Sequence, residues 1–309
     1  MEISQQYKNS VLAAISEARK NFTGKDPAFS KSLGIHNSVY NRIKNGEDTK
    51  GLLSPAKWIS VGRILDVQLY HQSWVTAKTE VFLKIEKDII NCKNNSTALV
   101  MVDECGIGKT YSAKQIVKTL SNAFYVDCSQ AKTKQAFIRL LARTVGVDSA
   151  GKYNEVKKEL KYALTNIIRP IVVLDEAGDL EYTAFLELKE LWNATEKICG
   201  WYMMGADGLR AKIQRGISNK KVGYKEIFDR FNNKYMFAVP TGIKAKEDFY
   251  AIMISEVLFA NLPETEHYQI NTLVPKILGT DSTELGSLRR AETFVNLIKS
   301  SNEQSINPQ

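Results

Sequence analysis

Gly106-Ile107-Gly108-Lys109-Thr110 constrains this chain more than any other segment. It follows a short apolar run at 98–102 and opens a stretch of helical patterning at 111–120. Strand, glycine turn and helix in that order place backbone N–H groups at a helix N-terminus, where glycines let them converge on phosphate oxygens. Lys109 is then set to reach β- and γ-phosphates, and the Thr110 hydroxyl to hold Mg²⁺. Cys105, Gly106, Ile107, Gly108, Lys109, Thr110 and Tyr111 are the expected nucleotide-binding residues. The full pattern for such loops asks for glycine at the position of Asp103, so one residue departs from it. A carboxylate suits that place only if it points away from the phosphates or caps the loop.

The second constraint is Ile171-Val172-Val173-Leu174-Asp175-Glu176, an apolar strand ending in two acids. Asp175 at the strand end is placed to bind the Mg²⁺ shell, and Glu176 to orient and polarise an attacking water. Phosphoryl transfer rests mainly on positioning and charge neutralisation, and these groups supply both. Lys109 and Glu176 are thus the first catalytic candidates, and Thr110 and Asp175 the metal-binding ones.

Apolar runs at 98–102, 123–127, 171–174, 201–205 and 234–239 alternate with helical stretches. Such alternation predicts a parallel sheet flanked by helices, an α/β class. Around this core the periodicity is helical. Val81, Ile85, Ile89 and Ile90 form one apolar face before the first strand. Phe249, Ile252 and Val257, then Leu288, Phe294 and Ile298, form others after the last. The expected organisation is an all-α helix-turn-helix domain at 1–68, a linker helix at 69–97, an α/β core at 98–240, and a small helical lid with its tail at 241–309.

Within the first domain, residues 29–43 fit a helix-turn-helix, with Gly34 at the turn and Phe29, Leu33, Ile35, Val39 or Tyr40, and Ile43 in a small core. The segment resembles the phage Cro and repressor class. The second helix then presents Asn37, Ser38, Asn41 and Arg42 to a DNA major groove. Asparagine can read adenine, while Arg42 and Lys44 can hold phosphates.

Charge adds to this reading. The net +8 is carried by three basic segments and an acidic tail: residues 241–309 hold 6 basic and 9 acidic side chains. From Gly208 to Lys225 there is no acid, and Arg210, Lys212, Arg215, Lys220, Lys221 and Lys225 fall together, with 215–223 loop-like. Counterion release makes such a run a natural DNA-backbone clamp. A solvated basic face, or a helical module that binds protein, remains the plainer alternative for these two elements. The four cysteines form no CxxC pair, which argues against zinc. No apolar run is long enough to cross a membrane and the first residues lack a leader's apolar stretch, so a cytoplasmic location is expected.

The phosphate loop and the acidic strand together resemble the AAA+ ATPases. That resemblance implies a P-loop core, ATP and Mg²⁺ as cofactors, and further site residues. A polar sensor is implied after the fourth strand, where Ala206 is apolar and Asp207 is the candidate. Phe228-Asp229-Arg230-Phe231 is similar to the arginine-finger box, which makes Arg230 a catalytic residue acting on a neighbour's γ-phosphate. Gly286-Ser287-Leu288-Arg289 resembles the second sensor, with Arg289 over the nucleotide. Trp74 and Val75 either line an adenine pocket or pack in a core.

Taken over nearly its whole length, the chain resembles phage Mu B-like transposition proteins. This implies an ATPase that self-assembles as a ring or helical filament on double-stranded target DNA, recruits and activates a transposase, and disassembles on hydrolysis. Two other readings stand beside it: a helicase-loader-like ATPase, and a helix-turn-helix transcription regulator gated by nucleotide.

Overall fold

The computed structural model describes residues 3–22, 24–67, 69, 74–279 and 285–306. In chain order the elements are α1 (Gln5–Asn21), α2 (Asp26–Ser32), α3 (Asn37–Lys44), α4 (Pro55–Ile64), α5 (Glu80–Asn95), β1 (Ala98–Val102), α6 (Lys109–Thr119), β2 (Ala123–Asp127), α7 (Lys134–Val145), α8 (Tyr153–Asn166), β3 (Ile171–Asp175), α9 (Tyr182–Ala194), β4 (Gly200–Gly205), α10 (Asp207–Ser218), α11 (Tyr224–Arg230), β5 (Tyr235–Met236), α12 (Ile243–Asn261), α13 (Ile270–Leu278) and α14 (Leu288–Ile306).

The strands form one parallel sheet in the order β2-β3-β4-β1-β5. Side chains alternate across it with the strand period of two. Val172 and Leu174 of β3, and Trp201 and Met203 of β4, face one core, which is closed by α7, α8, α9, α10 and α11. Ile171, Val173, Tyr202 and Met204 face the other, closed by α5, α6 and the start of α12. Sheets covered on both faces read as continuous apolar runs, which is the pattern these strands have. The expected last strand at 234–239 shortens to two residues, because the following backbone is turned aside by Asp103, as described below.

The helix read as a linker is a layer of this core. Val81, Phe82, Ile85, Ile89 and Cys92 of α5 are buried against the sheet. Ile90, expected on that face, is exposed, as is Ile252 of α12.

The amino-terminal helices have their own core of Val11, Ile15, Phe29, Leu33, Ile35, Tyr40, Trp58 and Val61. They are docked on the sheet domain rather than tethered to it. Phe22 and Ala28 pack on Gly146 at the end of α7, Asn21 Nδ2 donates to the Lys118 carbonyl at 2.7 Å, and Lys31 pairs with Asp148 at 3.1 Å. A fourth core, from α12, α13 and α14, forms the lid. Trp74 packs into it, while Val75 is exposed and its backbone N–H and carbonyl are both bonded to the Asn261 amide. Among the described residues no helix is long and apolar enough to cross a membrane.

Candidate nucleotide and nucleic-acid sites

The turn between β1 and α6 gathers the first set of groups. Gly106 (φ 76°) and Gly108 (φ 90°) both take the left-handed conformation, and Gly108 caps α6, whose first residue is Lys109. Glycine is the residue that adopts this geometry without steric cost. The Lys109 ammonium is buried and donates to the carbonyls of Asp103, at 2.9 Å, and Glu104. Burial lowers its pKa below the ordinary lysine range, against the pull of Asp103, Glu176 and Asp175. Thr110 is exposed at the helix start, Cys105 is exposed, and Ile107 is fully buried as an anchor. The Tyr111 hydroxyl is hydrogen-bonded to Thr76 at 2.7 Å, which ties α6 to the segment preceding α5.

Asp103 points away from this turn. One carboxylate oxygen accepts the Glu104 N–H at 2.8 Å, and the other accepts the N–H groups of Ala238, at 2.6 Å, and Val239, at 3.2 Å. It therefore ties the end of β1 to the chain leaving β5. Glu104 reaches the lid itself, accepting from the Tyr250 hydroxyl at 2.8 Å and pairing with Lys246 at 2.7 Å on α12. The lid also touches the turn at its other end, where Leu288 N–H donates to the Gly106 carbonyl at 2.9 Å. Arg289, one residue on, is exposed.

The acids at the end of β3 complete the centre. Asp175 is buried; Tyr125 of β2 donates to one of its oxygens at 2.7 Å, and the Glu176 N–H to the other at 3.0 Å. Glu176 is exposed and has φ 48°, a left-handed backbone that a side chain seldom adopts. Although the residue as a whole is exposed, its carboxyl is partly desolvated, and its pKa is raised by that first and by the neighbouring Asp175 second. Tyr125, Lys246 and Tyr250 escaped the sequence reading, because only strand register and the return of α12 bring them here.

The remaining expected residues lie apart. Asp207 is exposed in the first turn of α10, preceded by Ala206 as its cap residue. Arg230 ends α11; its Nε donates to Asn193 at 2.8 Å, its guanidinium also holds the Glu226 carbonyl at 2.9 Å, and it lies over Trp192. Those partners belong to α9 and α11, not to the phosphate turn.

Ser38, Asn41, Arg42 and Lys44 are exposed on α3. Asn37 is not free as expected, since its Oδ1 is enclosed without a hydrogen-bond partner. His36 caps this helix, accepting the Ser38 N–H at 3.3 Å. Arg42 pairs with Glu47 at 2.7 Å and Lys44 with Asp26 at 2.9 Å. The second basic element also differs from expectation. α10 runs on to Ser218, so Arg215 lies on a helix rather than a loop. Arg210 lies over Tyr235 with its Nε buried and unpartnered, Lys221 lies 3.9 Å from the Tyr182 ring centre, and Lys212 is turned onto the carbonyls of Gly178 and Leu180. Arg215 and Lys220 are exposed.

The family described as AAA domain matches residues 92–213, which span β1, α6, β3 and β4. The fold is that of an AAA+ P-loop core: five parallel strands, helices on both faces and a helical amino-terminal region. Among solved structures, 21 chains match. One is the Aeropyrum pernix ORC1 protein in complex with DNA, at 15% identity and a TM-score of 0.50. The match covers 77% of this chain and 62% of that one, so less than two thirds of that protein is represented, and the likeness is one of fold. No curated protein matches the sequence.

Proposed function

We propose that this chain binds and hydrolyses ATP and assembles on double-stranded DNA, which it delivers to a transposase. The observation that carries the ATPase reading is the convergence at one end of the sheet. A buried, carboxylate-free lysine behind two left-handed glycines faces the acid pair of β3 across β4. An ammonium held only by carbonyls in a glycine cradle suits a phosphate, and the exposed Thr110 hydroxyl with the Asp175 carboxylate suits Mg²⁺. When bound, the metal neutralises phosphate charge. Lys109 binds the phosphates, Asp175 is held in place by Tyr125, Glu176 orients the water, Arg289 contacts the nucleotide from the lid, and Asp207 senses it. Arg230 completes the site of the next subunit.

For DNA, the support is the exposed row Ser38, Asn41, Arg42 and Lys44 on α3 together with the basic α10 region. The solved structure of similar fold is a complex with DNA. The transposase rests on the sequence resemblance. The test is electron microscopy of the protein with several unrelated duplexes, with and without ATP and Mg²⁺. The expected result is ATP-dependent filaments on every duplex, lost in Lys109→Ala and persistent in Glu176→Gln. Nucleotide-independent binding at a single sequence, without polymer, would promote the transcription-regulator reading instead.

A further inference from the structure

Lys212 is the one basic residue of the α10 region whose amine is spent on the turn after the acid pair. Its Nζ donates to the Gly178 carbonyl at 2.6 Å and the Leu180 carbonyl at 2.5 Å. The nearby carboxylate of Asp179 is paired with Lys132 at 2.8 Å. Lys212 is therefore a cation fastened by neutral acceptors, beside the turn that begins at the strained Glu176. The bonds to the carbonyls carry a full charge on the donor alone, whereas a phosphate brings an opposite charge to the ammonium as well. An anion within reach would compete for this ammonium.

There is room for one. A groove of about 450 Å³ runs between this turn and α10, bordered by Gly178, Lys212, Arg215, Lys221 and Tyr224. Among the described residues no acidic side chain lines it. Gly208 at its edge leaves open space where a side chain would stand. Arg215 and Lys221 are exposed on its rim.

We infer that this groove takes a backbone phosphate of duplex DNA, and that Lys212, shared between that phosphate and the carbonyls of Gly178 and Leu180, couples DNA binding to the Glu176 turn. Arg215 and Lys221 hold the phosphate electrostatically, without reading sequence. Lys212 is a positioning residue: it acts on nucleotide chemistry only through the turn it fastens. Coupling of this kind is reciprocal in binding free energy, so DNA must change nucleotide affinity by the factor by which nucleotide changes DNA affinity. The inference rests on the DNA-binding reading above and adds to it a site and a route.

The experiment measures the affinity of the full chain for a fluorescent, non-hydrolysable ATP analogue with and without a saturating duplex, and duplex affinity across a salt series. In the unaltered protein, DNA is expected to shift nucleotide affinity roughly 5-fold or more. Lys212→Gln should bring that factor to one while the duplex still binds, and Lys212→Arg should retain it. The Arg215→Ala, Lys221→Ala double variant should bind all duplexes about 10-fold more weakly, with a salt slope smaller by about 1, for the one phosphate lost. Should Lys212→Gln lose its fold, which its melting curve reports, the exposed double variant carries the test of the site, and Lys212→Arg with the unaltered protein that of the coupling. Unchanged coupling in Lys212→Gln, its loss in a folded Lys212→Arg, or unchanged affinity and slope in the double variant overturns the inference. Duplex binding that depends on Arg42 but not on the groove leaves the DNA reading standing and removes this one, whereas a chain that binds no duplex at low salt removes both.

Discussion

At the scale of single residues, Asp103 shows how a departure from a motif is accommodated. The carboxylate stands where such loops carry glycine, yet it spends its oxygens on the N–H groups of Glu104, Ala238 and Val239 and leaves the phosphate side open. Asp103→Ala strips acceptors from those donors, and a buried donor left unpaired costs about 1–3 kcal/mol. The expected loss of stability is of that size, read as a lower denaturant midpoint at unchanged slope. An unchanged midpoint would show the bonds to be dispensable. Glu176 carries a second prediction. Its folded pKa is raised from the ordinary 4.5 by burial and by Asp175, and the carboxylate form is the one that can orient water. The quotient kcat/KM, which reports the free chain, is therefore full above the raised pKa and is lost as pH falls through it, so its acid limb should lie above that of an unperturbed glutamate. A limb at or below 4.5 would assign the water-orienting role elsewhere.

At the scale of elements, α3 offers a test separate from the nucleotide chemistry. Asn41 and Arg42 sit on its exposed face, and Tyr40 fixes the helix against Phe29. Arg42 is shared with Glu47, an exposed pair of the kind that contributes little to stability. Arg42→Ala should thus leave the melting temperature nearly unmoved. It should weaken duplex binding, with a salt slope smaller by about 1 if Arg42 holds a phosphate. Footprinting and a salt titration separate that from a change in sequence preference at Asn41→Ala. Elements like this one were legible because their signals are local: Gly34 at the turn, continuous apolar runs for buried strands. The same holds for the phosphate turn and the acid pair, which are fixed by spacing along the chain. Two kinds of feature were not legible. One is where a glycine inside a helix does not end it, as with α10 running through Arg215 and Gly216, which packs against the Tyr224 ring, to Ser218. The other is any contact made by register or by a returning element, such as Tyr125 on Asp175 or Tyr250 and Lys246 on Glu104. The apolar period likewise put Ile90 and Ile252 inward, whereas the core is filled without them.

At the scale of the whole molecule, the decisive residue is one whose partners say little about nucleotide. Arg230 is presented at the end of α11 by Asn193, Trp192 and the Glu226 carbonyl. If its role is to stabilise transition-state charge in a neighbouring subunit, the loss on removal should be large, because an arginine supplied in trans contributes about 10³–10⁵ in rate in comparable phosphoryl transfers. An Arg230→Ala chain then keeps an intact phosphate turn and acid pair but has no finger to lend. A Glu176→Gln chain assembles and keeps its finger but cannot orient the water. Each alone should be inactive. A head-to-tail assembly mixed from equal parts of the two places an intact finger against an intact acid pair at about a quarter of its junctions, since neighbours are drawn at random around a heterologous interface. Mixing on duplex DNA should therefore restore hydrolysis to roughly that share of the unaltered rate, as no arrangement within a single chain could. A mixture as inactive as its components would place Arg230 in a structural role at the α9–α11 contact. The fold would then complete its site by some other group, with Arg289 of the lid the first to examine.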